Sequence, residues 1–375
     1  MFNDIYKNRK VLVTGHTGFK GSWLCAWLLT LGARVAGFSV DFLKEPSHFM
    51  ELDLSQHIKH YQGDIRNLQQ FKSVMLEFQP EIVFHLAAQS LVRFSYQKPI
   101  DTFTTNALGT LNVLEATREI DSVRAVVIIT SDKAYRNFEW EWGYRESDIL
   151  GGEDPYSASK ACAEMIFYSY VRSYFSEPDS VRIATARAGN VIGGGDWAED
   201  RIIPDCIRAW SNNKELILRQ PNATRPWQHV LEPLSGYLWL ASCLYNENQK
   251  INGQSYNFGP NNLTNYSVET LIRSMHEYWP NAKWKIAADA KNNYHEYALL
   301  KLCCDKALTD LRWHAVLDFK ETVQFTSEWF HQYYQSNLIN VFQLTTDQIQ
   351  KYSDLAKERG LEWRLRTNQK IVSMA

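Results

Sequence analysis

No cysteine of this chain stands in a C-x-x-C pair; the six are Cys25, Cys162, Cys206, Cys243, Cys303 and Cys304. Neither a disulfide framework nor a paired-cysteine zinc site is expected, and reduced thiols in a cytoplasmic setting are. Charge of one sign is also lacking: Lys plus Arg number 40 against 42 for Asp plus Glu, a formal net charge of −2. That balance excludes the basic footprint of a nucleic-acid binder and the polybasic face of a membrane-surface protein. With Gly 18 and Pro 11, the chain has too little of either for collagen-like or low-complexity structure. The most apolar window, 23–38, is interrupted by Thr30, Gly32 and Arg34, short of the roughly 20 residues a membrane span needs. The polar residues 1–10 lead into a strand-like run and carry no secretory apolar region.

What the chain does have suits a soluble globular protein. Hydrophobic residues make up 45%, charged residues 22% and aromatics 13% of 375 residues, enough for a sizeable core and roughly two or three folding units. The first half alternates apolar runs with helical stretches, the mark of parallel βαβ units. Strands are expected at 10–14, 34–40, 60–63, 81–86, 124–130 and 181–186. Helices are expected at 22–31, 69–78, 105–119 and 157–174. After Gly189 the texture changes, with glycines at 193–195 and frequent aromatics. This divides the chain into residues 1–189, a second mixed α/β region at 190–340 that in part returns to the sheet, and a tail at 341–375. The tail holds one short helix at 347–359, and no role is assigned to it.

Gly15-His16-Thr17-Gly18-Phe19-Lys20-Gly21 follows the first strand and opens the first helix. Glycines at this G-x-x-G-x-x-G spacing permit a tight turn and bring backbone N–H groups close to a pyrophosphate at a helix N-terminus. Dinucleotide binding is the expectation; an ordinary glycine-rich turn is the bland alternative. At the end of the second strand an acidic residue would bond the adenosine ribose. Ser39 stands there, with Asp41 two residues on. Ser39 with Lys20 would tolerate a 2′-phosphate and Asp41 would oppose it, which favours NAD over NADP. Asp64, after the third strand, is placed to meet the adenine or to cap a helix.

Y-x-x-x-K occurs at Tyr6/Lys10, Tyr156/Lys160 and Tyr297/Lys301. Only Tyr156 opens a helix downstream of the apolar strand that ends Thr130-Ser131-Asp132-Lys133, so only it can face a ligand at the carboxyl ends of parallel strands. On a helix the spacing puts phenol and ammonium on one face. A phenol of pKa about 10 needs a nearby positive charge to serve as a base at neutral pH. His57 and His60 are three apart without a third ligand, so a solvated helix face is expected there and no metal.

The glycine loop, His85-Leu86-Ala87-Ala88-Gln89, Asn106, Thr130-Ser131-Asp132 and Tyr156/Lys160 together resemble the extended short-chain dehydrogenase/reductase family. Longer stretches, GHTGFKGSWL (15–24), TSDKAY (130–135), PYSASKACAE (155–164), RAGNVIGGGDW (187–197) and RPWQHVLEPLSGYL (225–238), resemble its nucleotide-sugar 4,6-dehydratases. The likeness spans about residues 5 to 335. It implies a Rossmann-type doubly wound parallel sheet with a smaller mixed α/β substrate domain, and a cytoplasmic lyase with bound NAD. Lys133, where sister dehydratases carry Glu, points to the CDP-glucose branch and to deoxysugar and O-antigen lipopolysaccharide synthesis.

In such an enzyme Tyr156 oxidises carbon 4 of the glucosyl group, water leaves across carbons 5 and 6, and hydride returns to carbon 6. Asp132 and Lys133 would supply the acid and base of the elimination, Ser131 would bond the sugar hydroxyl, and Lys160 would also bond the nicotinamide ribose. The cofactor set implied is Gly15, Thr17, Gly18, Phe19, Lys20, Gly21, Ser39, Asp64, Leu86, Ala87, Ala88, Asn106, Thr130, Tyr156 and Lys160. The sugar-nucleotide set is Gln89, Asn190, Trp197, Arg201, Arg208, Arg225 and His295, with Trp227 as a second wall for the base or a core aromatic. The family also implies a homodimer through helices 105–119 and 157–174. A 4-epimerase would use the same Tyr and Lys without needing the Asp132-Lys133 pair. An NAD-binding regulator would bind no nucleotide sugar.

Overall fold

A computed structural model describes the chain except for residues 41–44, 178–179, 219, 247–248, 261–265, 281, 287–298, 336–338 and 366–375. Its centre is a seven-stranded parallel sheet of β1 (Lys10–Thr14), β2 (Arg34–Ser39), β3 (Lys59–Gln62), β4 (Ile82–His85), β5 (Ala125–Ile129), β6 (Arg182–Ala188) and β7 (Ser255–Phe258). The strand order is β7-β6-β5-β4-β1-β2-β3. The chain runs outward from β1 in one direction, then restarts at β4 and runs outward in the other. A crevice forms at such a reversal, above the carboxyl ends of β1 and β4, and it is where ligands of doubly wound sheets bind.

The strands form because their apolar runs are covered on both faces. All five residues of β5 are buried, as are all seven of β6, polar Thr185 and Arg187 included. The helices that cover the sheet are α1 (Phe19–Thr30), α2 (Leu68–Phe78), α3 (Gly109–Arg118), α4 (Pro155–Tyr174) and α5 (Leu231–Tyr245). Two apolar cores result. One gathers α1, α5 and the later helices α6 (Phe319–Gln335) and α7 (Val341–Glu358); the other gathers α2, α3 and α4.

The expected helix 105–119 is not continuous. A short helix Pro99–Phe103 passes through a π-turn at Thr104–Leu108 into α3. The wider turn carries buried Asn106, whose amide is held by Gln89 and Ser159. The tail helix is also longer than the expected 347–359. Val341, Leu344, Ile349, Tyr352 and Ala356 form a buried stripe along α7, and α7 lies on α1 and α6.

Candidate active site

Gly15 adopts φ +71°, and a Cβ there would come within 2.7 Å of the Ala87 backbone nitrogen. A Cβ on Gly21 would come within 2.3 Å of the Gly15 carbonyl. Only glycine permits this close packing of loop on helix and on the segment after β4. Gly18 begins α1 with no side-chain cap, which leaves first-turn N–H groups to an outside acceptor. This cradle fits a pyrophosphate. Thr17 Oγ1 and Ser39 Oγ lie 2.8 Å apart across the loop. Asp64 is gripped by Arg66 at 2.6–3.0 Å, and that guanidinium holds its carboxyl below the usual range. The helix cap it might have supplied comes from Asn67, which accepts from Gln70 N at 3.1 Å.

Leu86, Ala87 and Ala88 are half-buried at the end of β4, facing the loop. Asn106 ties this segment down, accepting from Gln89 N at 2.8 Å and donating to Gln89 O at 3.0 Å and Ser159 Oγ at 2.9 Å. Gln89 donates both amide hydrogens inside the protein, to Leu91 O at 3.1 Å and Thr102 Oγ1 at 2.9 Å. Its expected reach toward a sugar is therefore turned inward.

At the end of β5, Ser131 Oγ donates to Asp132 Oδ1 at 3.0 Å and accepts from Lys133 N at 3.2 Å. Across from it Tyr156 sits in the first turn of α4, where Asp154 caps the helix by accepting from Ser157 N at 2.9 Å. Burial pushes the Tyr156 phenol up to about 12, opposed by its hydrogen bond with Ser131. Lys160 is not among the larger influences on that phenol: its ammonium donates to Ile129 O at 3.2 Å, and burial followed by repulsion from Lys20 brings it down to about 8.

Asp132 is buried, which raises its pKa, and its Oδ2 has no hydrogen-bond partner among the described residues. Lys20 lies among these groups. Burial and then Arg201 bring its ammonium down to about 8, while Asp132 pulls the other way. This corrects the expected pairing of Lys20 with Ser39, because the first turn of α1 aims Lys20 toward the end of β5. Arg201 completes the cluster, bound to Asp196 at 2.9 Å and Ser90 Oγ at 3.3 Å and acting on the Tyr156 phenol. Lys20, Lys133 and Arg201 thus act on one phenol and one carboxyl, with Lys160 beside them, which suits a ligand that carries phosphate charge.

The remaining sugar-nucleotide candidates spread outward. Asn190 follows β6 with its carbonyl accepting from Gln228 N at 3.2 Å. Arg225 is half-buried in a two-residue strand, with Nη1 donating to Thr224 O at 2.8 Å. Arg208 is exposed and bonds Trp197 O at 3.1 Å and Asp205 at 2.7 Å. Trp197 packs against Trp329, Phe330 and Tyr333 of α6. Trp227 is buried and donates to Tyr266 O at 3.1 Å, the core aromatic of the two readings. His295 lies outside the described residues, as does Asp41.

The solvated helix face expected for His57 and His60 is not found. His60 belongs to β3 and meets buried His16 at 2.7 Å, and His57 packs on Phe342 of α7. Among the described residues no three His, Cys, Asp or Glu gather as metal ligands, and no helix is long and apolar enough to cross a membrane.

Three buried residues next to the site were missed. Glu164 continues the Tyr156/Lys160 face by one more turn of α4 and pairs with Arg187 at 2.8 Å. Arg187 in turn donates to the Tyr135 hydroxyl at 2.7 Å. Their signal was present: an acid at the next four-residue step after Tyr156 and Lys160, and an arginine inside an apolar strand.

The sequence profile described as GDP-mannose 4,6 dehydratase matches residues 12–326. The chain belongs to that family. It is 46% identical over 331 residues to the CDP-glucose 4,6-dehydratase of Salmonella typhimurium, covering 87% of this chain and 91% of that one. Among solved structures, an epimerase of Methanothermobacter thermautotrophicus superposes with TM-score 0.76 at 24% identity, over 89% of this chain and 95% of that one. The dTDP-glucose 4,6-dehydratase of Bacillus anthracis, in complex with NAD, superposes with TM-score 0.71 at 21% identity, over 86% of this chain and 97% of that one. These two likenesses establish the fold, a Rossmann-type parallel sheet with a smaller second region.

Proposed function

We propose that the chain is a hydro-lyase that converts CDP-glucose to CDP-4-keto-6-deoxyglucose. The observation that carries this reading is Asp132. Its carboxyl is held toward the protonated form by burial, with one oxygen unpartnered, and it stands between Lys133 and the Ser131/Tyr156 pair. A 4-epimerase has no use for a proton donor there; a dehydratase does. The Salmonella relative, at 46% identity, supports CDP-glucose as the substrate.

Gly15, Thr17, Gly18 and Gly21 would hold the dinucleotide pyrophosphate. Ser39 and Asp64 would lie toward its adenosine, and Leu86 to Ala88, Asn106 and Thr130 along its length. NAD, when bound, would supply a hydride acceptor and donor and a ring charge that favours the Tyr156 phenolate. Tyr156 takes the proton of the 4-hydroxyl, steadied by Ser131, while Lys160 fixes the cofactor ribose. The 4-ketone acidifies carbon 5, whose proton Lys133, as the free amine, would accept. Asp132 gives its proton to the departing 6-hydroxyl, which leaves as water. Lys20 and Arg201 would meet phosphate charge beside the reacting sugar. Asn190, Trp197, Arg208 and Arg225 would line the nucleotide path.

Residues 1–189 would form the cofactor domain and 190–340 the nucleotide-sugar domain. Two copies would associate through α3 and the outer face of α4, where Met165 and Tyr168 are 64% and 59% exposed; sedimentation tests this. The six free thiols suit a reducing cytoplasm.

The deciding experiment is mass spectrometry of CDP-glucose incubated with the protein and catalytic NAD, with dTDP-glucose, UDP-glucose and GDP-mannose in parallel. Loss of one water from CDP-glucose without accumulating NADH is the expected result. Unchanged mass with an altered sugar would make the protein an epimerase.

A further inference from the structure

The segment 130–135 carries Ser131, Asp132 and Lys133, and both of its ends are tied to one buried ion pair. At one end Thr130 Oγ1 donates to Glu164 Oε1. At the other the Tyr135 hydroxyl accepts from Arg187 Nη1 at 2.7 Å and donates to Asn257 Oδ1 at 2.8 Å. Arg187 is bidentate on Glu164, with Nε and Nη2 each 2.8 Å from a carboxylate oxygen. The side chains of the pair are 3% and 1% exposed. Glu164 also accepts from Thr185 Oγ1 at 2.9 Å, and the Arg187 guanidinium lies 4.8 Å from the Tyr135 ring centroid.

Glu164 stands on α4, the helix that presents Tyr156 and Lys160. Arg187 stands on β6, two residues before Gly189, against which the free oxygen of Asp132 is packed. One ion pair therefore joins the helix of the phenol, the strand behind the carboxyl, and both ends of the segment between them.

We propose that Glu164 and Arg187 are positioning residues for the dehydration step, holding Asp132 and Lys133 in register with Tyr156 and Lys160. This rests on the dehydratase reading above. Buried ion pairs seldom add net stability over apolar packing, so a pair placed here contributes through geometry. A displacement of about 1 Å at a reacting group can reduce a rate roughly a hundredfold. Tyr156 and Lys160 are set by α4 itself, with its Asp154 cap, and keep their place when the pair is lost. Asp132 and Lys133 are set by the clamp and do not.

The test separates the two half-reactions in Glu164→Gln and in the milder Tyr135→Phe, which removes a single hydroxyl from the clamp. Four quantities are measured: melting temperature, calorimetric affinity for NAD, single-turnover reduction of the cofactor by CDP-glucose, and the appearance of dehydrated sugar with solvent deuterium at carbon 5. For Glu164→Gln we expect unchanged NAD affinity and cofactor reduction within about threefold of wild type. Dehydration should fall roughly a hundredfold, with reduced cofactor accumulating. Tyr135→Phe should show the same split at about tenfold, and it decides alone if Glu164→Gln does not fold. Equal loss of both half-reactions, or loss of neither, would overturn the proposal. A wild-type protein that removes no water from CDP-glucose would overturn the dehydratase reading and this proposal with it.

Discussion

The free carboxylate oxygen of Asp132 is packed against Gly189, so closely that a Cβ on that glycine would stand 2.8 Å from it. The glycine leaves room for the acid where β6 ends and the second region of the chain begins. Gly189→Ala should push the Asp132 carboxyl aside and lower dehydration about tenfold or more, with the affinity for NAD unchanged. Steady-state kinetics with calorimetry checks this. An unaltered kcat would mean that Asp132 can move without consequence.

Tyr156 and Asp132 have their titrations displaced upward by the same burial, with opposite consequences for the reaction. The phenol at about 12 is the conjugate acid of a base, so cofactor reduction should quicken as pH rises. The raised carboxyl of Asp132 is useful only while protonated, so dehydration should slow as pH rises through its pKa. Single-turnover measurements from acid to alkaline pH should show the two trends diverging. Tyr156→Phe should lower cofactor reduction by about 10²- to 10⁴-fold. Parallel pH profiles would remove one of the two groups from its assigned step.

Much of the sheet was legible because doubly buried strands read as unbroken apolar runs; β5 and β1 fall within a residue of their expected bounds. The loop 15–21 and the Tyr156 helix were legible because glycine spacing and four-residue spacing are local. What was not legible depends on distant partners. The π-turn at 104–108 exists because Asn106 must reach both Gln89 and Ser159, and nothing in its own neighbourhood announces that. The direction of Lys20 depends on Asp132 and Arg201, more than a hundred residues away. The full length of α7 was hidden because polar Thr345, Gln348 and Ser353 share its buried stripe. Their hydrogen bonds, such as Thr345 Oγ1 to His48 Nε2 at 3.1 Å, appear only in the folded chain.

Glu232 of α5 shows how α7 is held. Its carboxylate accepts from Val316 N at 2.9 Å, Leu317 N at 2.6 Å and the Tyr352 hydroxyl of α7 at 2.9 Å. Burial outweighs these donors and pushes its pKa up to about 7, against about 4.3 in an unfolded chain. A pKa raised by folding means that this group's contribution to stability is fully present below about pH 4.3 and is lost as pH rises through about 7. The full swing is on the order of 3–4 kcal/mol. Buried His16, His48, His85 and His229, lowered to about 3, act the other way, since protonation of the unfolded chain weakens the fold as pH falls below about 6.5. Glu232→Gln removes only the first effect. The difference between wild-type and variant unfolding free energies should change between pH 5 and 7.5, in the sense of wild type losing ground as pH rises. A flat difference would show that burial does not displace this carboxyl.

Trp363 tests whether the tail belongs to the cooperative fold. It is fully buried, stacked on Phe2 at 5.0 Å and 8°, and on Tyr352 of α7 at 5.9 Å and 15°, with Trp27 of α1 edge-on at 6.1 Å. One indole thus joins the first turn of the chain, its first helix and its last. Truncating a buried aromatic removes both its transfer free energy and the contacts of the cavity it leaves. Trp363→Ala should therefore lower the unfolding free energy by about 3–5 kcal/mol. The denaturant midpoint should shift without a change of slope, and Trp363→Phe should recover part of the loss. Catalytic rates below the transition should stay at the wild-type level, because among the described residues the ring contacts of Trp363 are Phe2, Trp27 and Tyr352, none of them in the site. A loss under about 1 kcal/mol would place the residue among ordinary surface substitutions, and α7 would then be an appendage rather than part of the core.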